Sequence, residues 1–273
     1  MSDVDDGTAA VERGGDGPLL AVEGVSKRFG PVEALTDVWL DLPAGSVTAL
    51  AGDNGAGKSV LIKTIAGLWP PDGGVLRWQG RPMHLRGPRD AEQAGITTIY
   101  QDLALCDNLD IVQNMFLGHE PRRRGFLDEA KMELAALETL RELAVTTVRS
   151  VRQPVASLSG GQRQSVAVAK AVMSKAKLVI MDEPTAALGV SQTHMVLELI
   201  RRLSDQGIAV LVVSHNLNDV FSVADRIAVL YLGRMVAAGP AGEFDRTSVV
   251  DFMTSGASER STAKRPGPKG AAG

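Results

Sequence analysis

The stretch Gly52-Asp53-Asn54-Gly55-Ala56-Gly57-Lys58-Ser59 gathers three glycines, a lysine and a hydroxyl. Glycines let successive backbone N–H groups turn inward around phosphate oxygens. A helix opening at Lys58 aims the positive end of its peptide dipoles at the same place. In this phosphate-loop pattern Lys58 bridges the outer phosphates of a nucleotide and Ser59 reaches Mg²⁺. The pattern requires a strand before it and a helix behind it. Ser46 to Ala51 is a short apolar strand and Lys58 to Gly67 reads as a helix. That context favours nucleotide binding over a glycine-rich turn.

A second group of residues stands where a bound phosphate needs acids, bases and polar contacts. Leu178 to Met181 is apolar and ends on Asp182-Glu183, with Pro184 closing the strand. Asp182 is placed to hold Mg²⁺ through water, and Glu183 to orient or deprotonate an attacking water. Seen alone, an Asp-Glu pair is a solvated turn; four buried residues ahead of it and a phosphate loop upstream reverse that reading. Gln101 lies just past the β-branched run Ile96 to Tyr100, within reach of Mg²⁺ or the water. His215 ends the strand Ile208 to Ser214, where a γ-phosphate contact belongs. His84, His119 and His194 have no such company and read as structural.

Leu158-Ser159-Gly160-Gly161-Gln162 opens another helix, read as Gln162 to Ser174. Ser159 and the Gly160 and Gly161 amides form an anion-binding N-terminus, or simply a capped helix. One chain offers no second phosphate for it. Phe29 follows the first strand signals, where its ring can stack on adenine or pack in the core.

The elements that must position these groups follow a β-then-α rhythm. Leu19 to Val25 and Thr36 to Leu42 alternate apolar and polar residues as strands do. Val75 to Met83 is a hairpin around Gln79-Gly80, and Ile227 to Ala237 a hairpin bent at Gly233. Ser191 to Leu203 is a helix with Val196, Leu199, Ile200 and Leu203 on one face, and Asn216 can cap the helix after His215. Between Asp102 and Ala176 the character changes to Ala-, Leu- and Glu-rich helical spacing, as in Asp128 to Leu143. The expectation is an α/β fold: a mostly parallel core, an antiparallel β subdomain and a helical lobe inserted at about 102–176. The folded part is expected at 18–255, between disordered segments at 1–17 and 256–273.

Composition narrows the partners. A net charge of −3 argues against general attraction to nucleic acid or an acidic membrane. The Arg122, Arg123 and Arg124 run reads as a solvated loop. Cys106 is the only cysteine, so an intrachain disulfide is impossible and a reducing cytosol suits the chain. No signal segment or membrane-length apolar run is present, so any spanning would belong to another chain.

The ordered set resembles the ATP-binding cassette (ABC) ATPases, the motor subunits of transporters, over nearly the whole folded region. Gly52 to Ser59 is similar to Walker A of the P-loop NTPases, Gln101 to the Q-loop, and Leu158 to Gln162 to the signature. Leu178 to Asp182 is similar to Walker B, Glu183 to the catalytic glutamate, His215 to the switch histidine, and Phe29 to the adenine-stacking aromatic. The resemblance implies a RecA-like core and a head-to-tail homodimer with two ATP molecules, each between Walker A of one copy and the signature of the other. Tyr100 to Leu105, Asn114 to Gly118, Thr185 to Val190 and Ser214-His215-Asn216 resemble the monosaccharide importers of the ribose, xylose and fructose type, in their single-cassette form. That implies an integral-membrane permease, indirectly a sugar-binding protein, and a place on the cytoplasmic face of the membrane. The alternatives are an exporter motor and, further off, a soluble cassette that does not transport. Leu103, Leu105 and Leu109 are either permease contacts or core. Gly189 departs from most of the family, which has Asp there to help couple the two ATP sites, although the sugar-importer subgroup tolerates this glycine.

Overall fold

A computed structural model describes residues 17–258 together with residue 267. Apart from residues 17, 256–258 and 267, the termini expected to be disordered lie outside the described residues. Strands β1 (Leu20–Phe29) and β2 (Val32–Leu42) pair antiparallel, and β3 (Val47–Ala51) leads to helix α1 (Lys58–Ile65). Then come β4 (Gly73–Trp78), β5 (Arg81–Met83), α2 (Pro88–Ala94), β6 (Ile96–Ile99) and α3 (Ile111–Phe116). A short hairpin, β7 (Arg122–Arg123) and β8 (Phe126–Leu127), precedes α4 (Glu129–Glu142) and α5 (Gly160–Met173). The chain closes with β9 (Leu178–Asp182), α6 (Val190–Asp205), β10 (Ala209–Val213) and α7 (Leu217–Val223). After these come β11 (Arg226–Tyr231), β12 (Arg234–Pro240) and α8 (Arg246–Ser255).

Two main sheets result. One is antiparallel, in the order β2-β1-β4-β5; the other has six strands, in the order β12-β11-β3-β10-β9-β6. All neighbours in the second sheet are parallel except β11 and β12. Five consecutive buried residues in β10 show why its sequence reads as one apolar run: both faces are covered. Val210 and Val212 face the cluster shared with α5 and α6, whereas Ala209, Leu211 and Val213 face the cluster shared with β1, β2 and α1. Each such Val or Leu contributes roughly 1.5–3 kcal/mol by burial, so the sheet is a rigid base for whatever its strand ends carry.

The C-terminal ends of β11, β3, β10, β9 and β6 all point one way. In a parallel sheet the C-terminal strand ends share an edge, and ligands gather there. Val213 aligns with Asp182 on β9 and with Leu50 on β3, and Ile99 of β6 aligns with Met181. The register therefore brings Gly52, Gln101, Asp182 and His215 to one rim although they are far apart in sequence.

The helical segment between β6 and β9 is organised around Asn114, which is wholly buried. Its Oδ1 accepts from the Cys106 amide at 2.7 Å, and its Nδ2 donates to the carbonyls of Cys106, Leu109 and Asp110. One side chain thus folds the irregular stretch after Gln101 into a fixed shape. Leu103 and Leu105 pack on the core in that stretch, which fits one of the two readings open from sequence. The arginine run forms β7 and the turn beyond it, where a loop was expected, with Arg122 and Arg123 exposed as anticipated.

Candidate functional site

The phosphate loop is built by close approach. Gly57 adopts a left-handed conformation (φ 104°), and a Cβ there would lie 2.8 Å from the Ala34 carbonyl oxygen. A Cβ on Gly52 would lie 2.5 Å from the Leu230 oxygen. Both neighbours are backbone and cannot yield, so both glycines are required by space, and Gly57 by torsion as well. The loop is pinned from above: the Ala56 carbonyl accepts from the Gly233 amide at 2.9 Å, and the Gly233 carbonyl accepts from the Thr36 amide. Gly57 caps α1 without a side-chain hydrogen bond, which leaves the first amides of the helix available to a ligand.

Lys58 starts α1 and is buried. Its ammonium donates to the Gly52 carbonyl at 2.6 Å and the Asp53 carbonyl at 3.0 Å. Burial pulls its pKa below the ordinary value, while the charges of Glu183, Asp182 and Asp53 oppose that pull. Asp182 shows the reverse: burial, reinforced by the neighbouring Glu183 charge, raises its pKa against the attraction of Lys58 and Lys63. A desolvated carboxylate with a second acid beside it suits a cation, and the charges of Lys58 and Lys63 do not outweigh its desolvation.

Glu183 sits at φ 50°, a left-handed conformation costly for a residue with a Cβ. Its amide donates to the Val213 carbonyl at 2.8 Å, and its carboxylate oxygen Oε1 lies 2.8 Å from His215 Nδ1. Two strand ends thus fix one carboxylate. The helix after His215 is held in the same way: Asn216 caps α7, and Thr185 donates to the Asp219 carboxylate at 2.6 Å.

These groups line a cavity of about 520 Å³ that includes Asp53, Asn54, Gly55, Gly57, Lys58, Ser59, Gln101, Asp182 and Glu183. Its far wall was not read from the sequence: Val32, Glu33 and Ala34 of β2, with Leu232 and Gly233 of the β11–β12 turn. Val32 and Leu232 are 60% and 69% exposed, apolar side chains left open on a polar cleft. Local sequence gave no sign of them, because only sheet register brings them there. Gly52 and Ala56 shape the loop from behind. His215 reaches the cavity through Glu183, and Phe29 stands outside its lining.

None of Ser159, Gly160, Gly161 and Gln162 lines the phosphate cavity. Ser159 and Gln162 form a reciprocal capping box at the start of α5. The two glycines have an internal reason as well: a Cβ on Gly160 would lie 2.7 Å from Leu188 Cδ2, and one on Gly161 3.1 Å from Gln192 Cβ. The signature helix therefore packs on the segment that follows Glu183. Gly189 caps α6 with no side-chain hydrogen bond, and a Cβ there meets nothing within 4 Å.

A nucleotide-binding cavity at the rim of a parallel sheet, with a helical segment between β6 and β9, is the arrangement of one protein class. The family model of ABC transporters matches residues 35–186, and the chain belongs to that family, as one of its ATP-hydrolysing cassettes. It is 47% identical over 244 residues to the fructose import ATP-binding protein FrcA of Rhizobium meliloti, covering 87% of this chain and 94% of that one. It is 44% identical to the xylose/arabinose import ATP-binding protein XylG of Sulfolobus acidocaldarius, again over 87% of this chain and 94% of that one. Against the ribose import ATP-binding protein RbsA 1 of Rubrobacter xylanophilus it is 40% identical, over 91% of this chain, and spans 49% of that longer protein. Among solved structures, it resembles the ADP conformation of MJ1267, an ATP-binding cassette of an ABC transporter, with TM-score 0.73 and 25% identity over 87% of this chain and 95% of that one.

The electrostatics make one prediction at this point. The raised pKa of Asp182 means that the folded protein holds this proton more tightly than the unfolded chain does. Stability therefore falls as pH rises from 3.8 through the raised value, and at neutral pH the ionised carboxylate is a burden on the fold. Asp182→Asn should raise the melting temperature of the nucleotide-free protein at neutral pH and remove that slope, while ATP hydrolysis is lost. Thermal scans at several pH values, beside an ATPase assay, check it; a lower melting temperature at neutral pH contradicts it.

Proposed function

We propose that this protein is the motor of a membrane importer for a monosaccharide, and that it works as a head-to-tail homodimer on the cytoplasmic face. Residues 18–255 form the cassette, with 102–176 as its helical lobe. The backbone amides from Gly52 to Ser59 cradle the ATP phosphates, and Lys58 leaves its two carbonyl partners for the outer ones. Ser59, Gln101 and Asp182 suit Mg²⁺ chemically: they offer hard oxygen donors, too few to hold the ion without the phosphates. Bound there, Mg²⁺ supplies charge neutralisation of the phosphate chain. Glu183 orients and deprotonates water, held in place by His215 and the Val213 carbonyl. Phe29 carries the adenine. Catalysis here is positioning and electrostatics more than covalent chemistry.

The observation that carries the dimer is the separation of the signature from the phosphate cavity. The N-terminus of α5 suits an anion, yet Ser159 and its neighbours are absent from the lining of their own chain's site. A second copy, turned head to tail, supplies that anion. Gly189 lacks the carboxylate that relatives use for coupling between the sites, so coupling runs through other contacts, such as those of Leu188 and Gln192 with the signature glycines.

The cargo reading rests on FrcA and XylG, whose printed names refer to fructose and xylose/arabinose import and whose lengths this chain nearly spans. Those names favour import over export and over a soluble cassette acting on nucleic acid. Among the described residues no helix is long and apolar enough to cross a membrane, and the permease is a separate chain that receives sugar from a binding protein. The stretch from Gln101 to Gly118 forms part of the groove that receives the permease. Purifying this subunit from its native membranes should bring down an integral-membrane protein, and one monosaccharide should raise the ATPase rate of the complex. Recovery with ribosomes or DNA and no membrane protein would overturn the reading.

A further inference from the structure

Phe29 is the last residue of β1 and is 40% exposed. Its partner across the strand pair is Val32, which lines the phosphate cavity, so the ring stands at the cavity mouth. The Lys27 ammonium lies 5.5 Å from the ring centroid, a cation–π contact. The residue that touches it edge-on is Trp69, with ring centroids 4.8 Å apart and planes at 72°, an arrangement aromatic pairs favour.

Trp69 is itself fixed from two sides. The segment that follows it is strapped to the end of β1. Lys27, almost fully buried, donates to the Pro70 carbonyl at 2.8 Å and to the Asp72 carboxylate at 3.0 Å. The Arg28 amide donates to the other Asp72 oxygen at 2.7 Å, and the Asp72 amide donates to the Ser26 carbonyl at 2.9 Å. On its other side the Lys63 ammonium lies 4.8 Å from the Trp69 ring centroid, a cation–π contact. Lys63 belongs to α1, one turn beyond Ser59. A continuous set of contacts therefore runs from the phosphate helix through Lys63 and Trp69 to Phe29.

We propose that Trp69 is a positioning residue for the base platform: it orders the Phe29 ring relative to the phosphate loop before nucleotide arrives. The proposal rests on the reading of Phe29 as the adenine-stacking ring. Ordering a mobile aromatic side chain beforehand removes a cost that binding otherwise meets, on a scale of about 3- to 10-fold in affinity.

The test compares ATP with inorganic tripolyphosphate, which has the phosphates and no base, by calorimetry on the full chain. Trp69→Ala should weaken ATP binding about 3- to 10-fold and leave tripolyphosphate binding unchanged; Trp69→Phe should restore ATP binding. Phe29→Ala should weaken ATP alone, and adding Trp69→Ala to it should cause no further loss, because Trp69 acts through Phe29. Trp69→Leu, which keeps apolar bulk without a ring, guards against a folding defect and should behave as Trp69→Ala. Equal loss for both ligands would mark Trp69 as merely structural and overturn the proposal. So would unchanged ATP binding in Trp69→Ala beside a weakened Phe29→Ala, although the platform reading would then survive. Unchanged ATP binding in Phe29→Ala would overturn the platform reading and the proposal together.

Discussion

Glu183→Gln should bind ATP as tightly as the parent, within a few-fold, and cleave it about 10²- to 10⁴-fold more slowly, the usual contribution of a positioned general base. Gln keeps the shape of Glu and still accepts a hydrogen bond from His215, so the 2.8 Å contact at Nδ1 and the amide bond to Val213 both survive. What disappears is the capacity to take a proton from water. One of the two negative charges beside the phosphates also goes, which relieves Asp182 and leaves no reason for weaker binding. On the proposed cycle, in which hydrolysis releases the closed dimer, the variant should accumulate as a dimer when ATP is added. Steady-state turnover together with light scattering of the ATP-loaded protein reads both effects. Turnover at the parent rate would remove Glu183 from the chemistry.

Lys58→Ala should act on the opposite side of the cycle, by losing nucleotide before any chemistry begins. The ammonium donates to the loop carbonyls and feels the charges of Asp182 and Glu183, so its removal takes one charge-assisted partner from the phosphates and weakens the opposition to those two carboxylates. Charge-assisted hydrogen bonds contribute about 1.5–3 kcal/mol, which corresponds to a loss of roughly 10- to 150-fold in ATP affinity. Removal relieves a buried charge but strips a donor from the Gly52 and Asp53 carbonyls, so the fold is checked beside the affinity. Calorimetry with ATP checks the affinity and thermal unfolding checks the fold. Parent-like ATP binding in a folded Lys58→Ala protein would contradict the phosphate-loop assignment.

The two variants act on residues that were legible from sequence, and the reason is local. Gly57 needs its torsion, Lys58 its helix start and Asp182 its strand end, and each requirement is met within a few residues of chain. The far wall of the same cavity was not legible. Val32, Ala34 and Leu232 reach it through pairing between β1 and β2 and between β11 and β12, which no short window encodes. Strand ends were misjudged for a related reason. Leu19 to Val25 stops where Ser26-Lys27-Arg28 begin, and Thr36 to Leu42 leaves out Val32 to Leu35, yet β1 runs on to Phe29 and β2 starts at Val32. Register shifts after Val22, Val25 and Lys27 carry the pairing past Gly24 and past the exposed Arg28 and Glu33.

Helices of weak local propensity were also passed over. Helix α8 contains four β-branched residues and two serines in RTSVVDFMTS, a poor helix former by composition. Its Asp245–Ser248 capping box and the burial of Val249 and Phe252 against Ile227 and Val229 outweigh that preference. The signature glycines were read as an anion site or the start of a capped helix. Their close packing on Leu188 and Gln192 is a second reason for their size, visible only once α5 and α6 lie side by side. The same contact brings the neighbourhood of Glu183 within reach of an event at Ser159.

That link makes Ser159→Asp the most direct probe of the shared site. Asp caps a helix as well as Ser does, so α5 keeps its start, while a negative charge now occupies the corner proposed to meet the phosphate of a second copy. ATPase activity should depend on protein concentration in the parent, and Ser159→Asp should abolish both the activity and the ATP-induced dimer with ATP affinity of the single chain unchanged. A strictly monomeric protein that hydrolyses ATP at full rate, with Ser159→Asp indistinguishable from it, would contradict the account.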